Sequence, residues 1–226
     1  MSKQAHILAL KADTLPGGLG FGIRALGDAA LAPVLEAQAW IGPRPMLEDD
    51  TSFVQFIPYV LVRHGTRLLA YVREESGGEA RLHGKFSVGV GGHIDLPDVI
   101  VDETLIMEKG KQVPANRIDI ARTLVRSAVR EISEEINMDV PEEAVMWTHL
   151  IHVTTTEVDA VHLGFVAVLD IEAAGIPELV FEECIGSARF EEISELAAGR
   201  VGGRDATPET WTGLVLDMLV KDAAAA

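Results

Sequence analysis

Along most of the chain the spacing of apolar residues alternates between a period of two and a period of three to four. "FIPYVLVRHGTRLLAYVREE" holds two β-like runs around the glycine-bearing turn "RHGTR", which predicts a hairpin. "KFSVGVGGHID" starts as a third strand and ends in a glycine cluster. From Leu96 to about Arg117, with Pro97, Gly110 and Pro114 along the way, no period is clear. That is long for a structureless connection, and such loops are often functional lids or insertions. The spacing then turns helical in "DIARTLVRSAVREISEEINMDV". Ala121, Val125, Ala128, Ile132 and Ile136 recur at three and four, and Leu124 and Val129 widen the stripe. Asp119 suits the N-cap, and Asn137 stands where a helix end needs a left-handed residue.

Beyond the helix, "WTHLIHVTTT" and "AVHLGFVAVLDI" flank the polar "EVDA" and predict a second hairpin. "ECIGSARFEEISELAAG" reads as a strand and a short helix. "TPETWTGLVLDMLV" reads as a last helix, with Thr207 as N-cap, Pro208 at the first helical position, and a stripe of Trp211, Leu214, Val215, Met218 and Leu219. Residues 1–50 are less regular: a glycine-rich turn segment, "DTLPGGLGFG", a helical stretch interrupted at Pro33, and a loop, "IGPRPMLEDD". We expect residues 1–50 to form an N-terminal extension packed on a core domain of residues 51–226. Hairpins mixed with two or three helices predict an α+β fold, with a sheet sandwiched between helices.

Composition narrows the function classes. Of 226 residues, 48% are hydrophobic and 24% charged, enough apolar material for a full core. The formal net charge of −16 would repel nucleic-acid backbones, so no nucleic-acid partner is expected. A small anionic substrate stays compatible with it, because a bound divalent cation can reverse the local field. The single cysteine, Cys184, has no nucleophile context and rules out an intrachain disulfide, which fits a reducing, cytoplasmic setting. No run nears the roughly 20 apolar residues of a membrane span, so no membrane partner is expected.

The candidate chemistry lies in "REISEEI", residues 130–136. At 100° per residue, Glu131, Glu134 and Glu135 share an arc of about 100° that flanks the apolar stripe. Carboxylates gathered at a core boundary raise one another's pKa unless a cation sits among them. Hard oxygen donors of this kind suit Mg²⁺ or Mn²⁺. A solvated surface face is the alternative, in which Arg130 and Glu134 form a routine i,i+4 pair.

"REISEEI", the preceding "VGVGGHID" with its Gly91-Gly92 pair, and the order hairpin, glycine strand, helix, hairpin, "ARFEEISEL", final helix together resemble the Nudix hydrolase family. "EDDTSFVQFIPYV" further resembles a bacterial subgroup described only as Nudix-type phosphoesterases. The resemblance runs from about Ile57 to Val220. It implies a Nudix-type α/β/α sandwich with a mixed sheet between helices. It also implies Mg²⁺ or Mn²⁺ held by Glu131, Glu134 and Glu135 with a carbonyl from Gly91 or Gly92, and hydrolysis of a pyrophosphate linkage in a nucleoside diphosphate joined to some group X. Arg130 lies beside Glu134 on the helix and could brace it. His93, next to Gly92, could contact substrate or cap the loop. Arg73 beside that loop could contact substrate phosphates or serve solubility, with Gly92 as a further substrate contact.

The box departs from the family pattern in its first half. The family's first glutamate falls on Arg122, its first glycine on Asn116 and its closing glycine on Asn137, and the Gly-Gly pair lies well upstream of its usual place. Asp95, Asp98, Glu103 and Asp119 are candidates to replace the lost glutamate. A nucleotide-binding or regulatory domain without catalysis is therefore a second expectation.

Other residues carry weaker signals. His152 and His162 are placed symmetrically about "EVDA", so they could pair across the hairpin and begin a zinc site, or simply hydrogen-bond. Arg81 and Lys85 flank the glycine loop, and Glu178, Glu182 and Glu183 precede the "ARF" strand. Residues 1–50 are available for a homodimer interface.

Overall fold

The computed structural model describes residues 5–15, 21–26, 39–73, 84–108, 111–175 and 188–225. In chain order its strands are β1 (His6–Lys11), β2 (Gly22–Ala25), β3 (Trp40–Pro43), β4 (Phe53–His64), β5 (Arg67–Val72), β6 (Lys85–Ser87), β7 (Gly89–Val90), β8 (Val101–Glu108) and β9 (Lys111–Ile118). They continue as β10 (Val145–His152), β11 (His162–Asp170), β12 (Arg189–Glu192), β13 (Arg200–Val201), β14 (Arg204–Asp205) and β15 (Thr207–Pro208). The helices are α1 (Arg44–Leu47), α2 (Ile120–Ile136), α3 (Glu157–Ala160), α4 (Ile193–Ala197) and α5 (Thr210–Ala225).

Among the described residues, eleven strands share one mixed sheet whose main path is β15-β6-β5-β4-β11-β10-β2. β4 and β11 run parallel at its centre, and the β10–β11 hairpin is antiparallel. The alternation along β4 explains the layers. Tyr59 and Leu61 enter the apolar cluster that includes Val215 and Leu216 of α5. Val60 and Val62 point the other way, into the cluster containing Ala128, Ile132 and Ile136 of α2. A central strand buried on both faces reads as a nearly unbroken apolar run, as "FIPYVLV" does. The result is a sheet between helices, in the expected α+β class.

Strands from residues 1–50 enter the same sheet as those after residue 51: β1 pairs with β3 and β4, and β2 pairs with β10. On that edge β4 is bonded by β1 at residues 53–55 and by β7 at Val60 and Leu61. Pro58 lies between these stretches, where its missing N–H breaks no ladder bond. The Gly91 backbone passes directly over the Pro58 carbonyl; a Cβ on Gly91 would come within 1.8 Å of that oxygen. The loop is then tied to β1 by the Leu8 amide donating to the Ile94 carbonyl.

α2 runs within a residue of the expected span, with the Asp119 side chain accepting from the Arg122 amide and Asn137 closing it at φ 51°. The "RHGTR" hairpin also forms, as β4–β5. Two expectations are corrected. Residues 101–118 are not structureless: β8 and β9 pair along their full length as a separate two-stranded sheet. Thr207 and Pro208 do not cap the last helix; they add a short parallel edge strand to β6, where proline is tolerated, and α5 starts at Thr210. The interrupted helix expected around Pro33 lies outside the described residues. No described helix is long and apolar enough to cross a membrane.

Candidate active site

The second half of α2 brings its acidic residues to the Gly91–Asp98 loop. Glu131 is 1% exposed, Glu135 is half-buried, and Glu134 faces solvent. Gly92 sits hard against Glu131: a Cβ there would lie 2.6 Å from Oε1 and displace that carboxylate. The Gly91 amide donates to Glu135.

Arg130 ties the loop to the helix. Its Nε donates to both carboxylate oxygens of Asp98 at 3.0 and 3.1 Å, and Nη2 donates to Oδ2 of Asp98 at 2.8 Å and to the His93 carbonyl at 3.0 Å. Nη1 donates to Glu134 Oε2 at 2.9 Å. Burial works against its charge, but the Asp98 hydrogen bonds and the charges of Glu131, Asp98 and Glu134 outweigh it and raise its pKa. Asp98 is itself buried and closes a capping box with Asp95 at a short 3₁₀ turn, Leu96–Asp98.

Of the four candidates to replace the lost glutamate, Asp98 is the one the structure places on Arg130. Arg122, at the lost glutamate's own position, points outward and pairs with Asp102 and Asp119. Of the other candidate substitutes, Asp119 is the helix cap and Asp95 belongs to the turn, its carboxyl pKa raised by burial. The Glu103 side chain lies outside the described residues.

Two carboxylates with buried oxygens remain without full compensation. Arg130 Nη1 comes within 2.8 Å of Glu131 Oε1, but the approach is not aligned for a hydrogen bond, and neither Glu131 oxygen has a hydrogen-bond partner. Oε2 of Glu135 has none either. Burial raises the pKa of Glu131, and burial followed by the Glu131 charge pushes Glu135 up to about 7. Such groups are costly unless something pairs with them. Orphaned carboxylate oxygens beside a glycine turn fit a hard divalent cation. Among the described residues, however, no three His, Cys, Asp or Glu side chains converge closely enough to hold a metal ion as they stand.

The remaining expected contacts are distributed as follows. Arg73 lies on the Tyr71 ring, 5.2 Å from its centroid, and its Nε donates to Oε1 of Glu209 at 2.7 Å. Its charge reaches Glu135 and partly offsets the rise there. Sequence reasoning missed Glu209 because "TPETW" reads as the opening of a helix; the β15 strand instead places it, 6% exposed, beside Arg73. His93 is half-buried, and its imidazole pKa is driven well below the usual range by burial, His162 and Arg44. His162 meets His93 rather than His152, with Nε2 to Nε2 at 3.3 Å, while His152 stacks on Phe21. Lys85 sits in β6. Arg81, Glu178, Glu182, Glu183 and Cys184 lie outside the described residues.

No family model matches the sequence. Protein YmaB of Bacillus subtilis (strain 168) is 28% identical over 173 residues, covering 76% of this chain and 74% of that protein. The crystal structure of Tm1382, regarded as a Nudix hydrolase, superposes with a TM-score of 0.65 at 20% identity, covering 96% of this chain and 98% of the other. The chain has the Nudix hydrolase fold.

Proposed function

We propose that this Nudix-fold chain is a metal-dependent hydrolase that cleaves a pyrophosphate linkage in a small nucleoside diphosphate-X substrate, in the cytoplasm. The observation that carries the reading is the pair Glu131 and Glu135, each with a buried Oε2 that accepts no hydrogen bond, held against Gly91-Gly92 by the Arg130–Asp98 clamp. Mg²⁺ or Mn²⁺ would be held by Glu131 and Glu135, with Glu134 and the Gly91 carbonyl completing the set. When bound, the metal supplies positive charge for the diphosphate and lowers the pKa of coordinated water.

The chain's own groups do the rest. Arg130 is committed to Asp98, Glu134 and the loop, so it positions α2 against the glycine turn and does not itself need to touch substrate. The Asp98 bonds keep that guanidinium charged and oriented, restoring the support lost when arginine stands at position 122. A carboxylate near the metal, other than its ligands, would take the proton from the attacking water. Arg73 and His93 border the cluster from β5 and the loop, where a cation and a neutral imidazole can contact the substrate.

A second reading is a nucleotide-binding domain without catalysis. It is favoured by the failure of the three glutamates to converge as they stand. A hydrolysis screen over nucleoside di- and triphosphates, nucleotide sugars and dinucleotides, with and without Mg²⁺ or Mn²⁺, separates the two. The hydrolase reading expects metal-dependent turnover that Glu135→Gln abolishes. Turnover unchanged in that variant removes the mechanism. Tight nucleotide binding with no turnover installs the second reading.

A further inference from the structure

His93 follows Gly92 directly, and its Nε2 faces Nε2 of His162, the first residue of β11, at 3.3 Å. A neutral imidazole has one N–H and one lone pair, so the nitrogen that carries the proton decides what the ring can bind. The surroundings of His162 fix that choice. Its Nδ1 lies 2.6 Å from the Val158 carbonyl, which can only accept. The His162 proton is therefore on Nδ1, and its Nε2 offers a lone pair. The bond between the rings then needs the His93 proton on Nε2. That leaves Nδ1 of His93 as an acceptor with no hydrogen of its own.

Both rings are held in place. Trp211 of α5 stands edge-on to His162, with centroids 6.5 Å apart. It packs so closely on β11 that a Cβ on Gly164 would lie 2.6 Å from its ring. The His93 backbone is fixed by Arg130 Nη2, which donates to its carbonyl at 3.0 Å. Burial, His162 and the Arg44 charge all work against a second proton on His93, so its Nδ1 stays bare. Among the described residues nothing donates to that nitrogen, and the ring is only half-buried.

The oxygens of a linked diphosphate have no proton to give to such an atom, whereas a hydroxyl does. From this chain of hydrogen bonds we propose that His93 is a specificity-determining residue: its Nδ1 accepts a hydrogen bond from a sugar hydroxyl beside the diphosphate and so selects a hydroxylated substrate. His162 acts through His93, as the positioning residue that fixes its tautomer. No proton changes hands, and contact with phosphate is left to Arg73. The proposal rests on the hydrolase reading for where the substrate lies, but the tautomer stands without it.

The test uses full-length ¹⁵N-labelled protein at about pH 8, where imidazoles are neutral. Long-range ¹H–¹⁵N spectra should show His93 protonated on Nε2 and His162 on Nδ1. A proton on Nδ1 of His93 overturns the proposal. In the presence of Mg²⁺ the protein is then titrated with ribose 5-phosphate and with tetrahydrofurfuryl phosphate, which has the same ring and phosphate without the hydroxyls. Ribose 5-phosphate should shift the His93 Nδ1 signal and bind about tenfold more tightly, the effect of one added hydrogen bond. His162→Ala, which frees the His93 proton to move to Nδ1, should cut that preference to less than about twofold. Equal affinity for the two phosphates, an Nδ1 signal that neither moves, or an undiminished preference in His162→Ala overturns the proposal. Should His162→Ala fail to fold, the tautomers and the two titrations of the unmodified protein decide. Neither readout uses turnover, so a failed hydrolysis screen and a failed tautomer test are told apart.

Discussion

Glu131 and Glu209 are both glutamates buried against the central sheet, 1% and 6% exposed, yet their surroundings differ sharply. Glu209 accepts an aligned hydrogen bond from Arg73 Nε at 2.7 Å, and its own amide donates to the Phe86 carbonyl. Glu131 has a guanidinium within 2.8 Å but no aligned bond, because that arginine is already spent on Asp98, Glu134 and the His93 carbonyl. A buried charge with its hydrogen bonds made holds structure together. A buried charge left without them is a standing cost that a ligand can relieve. The contrast places Glu209 with the fold and marks Glu131 as the residue for the proposed site.

The largest effects should fall where these two residues are exchanged for neutral ones. Glu131→Gln should lower kcat/KM at least about 100-fold, as expected for loss of a metal-binding carboxylate, while raising the melting temperature of the metal-free protein. Glu209→Ala should do the reverse to stability. It should cost about 2 kcal/mol in chemical denaturation, below the range for fully buried pairs because Arg73 keeps partial access to solvent. If both variants shift stability in the same direction, the distinction between them fails.

A pH series sharpens the same point through Glu135. Burial and the Glu131 charge push its carboxyl to about 7, above the unfolded value near 4.3. A raised carboxyl contributes stability that is present below the unfolded pKa and disappears as pH climbs through the folded one. Metal-free protein should therefore lose stability between about pH 4.5 and 7.5, by at most about 3 kcal/mol, and Glu135→Gln should flatten that slope. An unaltered slope in the variant would show that Glu135 is not the group responsible.

Smaller again is the comparison between the two ends of the divergent box. Asp98→Ala should reduce turnover about tenfold by freeing Arg130 from its anchor, whereas Arg122→Ala, on the helix surface, should change it less than about twofold. Equal effects would mean that Asp98 does not support the site.

How much of this was legible in the sequence depends on range. The span of α2, its Asp119 cap and its Asn137 terminator follow from spacing and local backbone preference, and so does the turn between β4 and β5. Asp98 could be named as one of four candidates but not chosen, because the choice depends on a contact 32 residues apart in the chain. The "DLPD" pattern was the available clue, since aspartates three apart around a proline favour a reciprocally capped turn. β15 was hidden because two residues, Thr207 and Pro208, form a strand only through their register with β6. The β8–β9 hairpin has no alternation strong enough to reveal it. The His93–His162 contact joins residues 69 apart and leaves no local trace, so symmetry about "EVDA" led to His152 instead.

The claim on which the account rests is that the orphaned oxygens of Glu131 and Glu135 form a divalent-cation site. Calorimetric titration of the nucleotide-free protein with Mn²⁺, alongside the E131Q/E135Q variant, tests it directly. The account predicts a binding isotherm for the unmodified chain that weakens at least tenfold in the variant. Identical isotherms for the two proteins would contradict it.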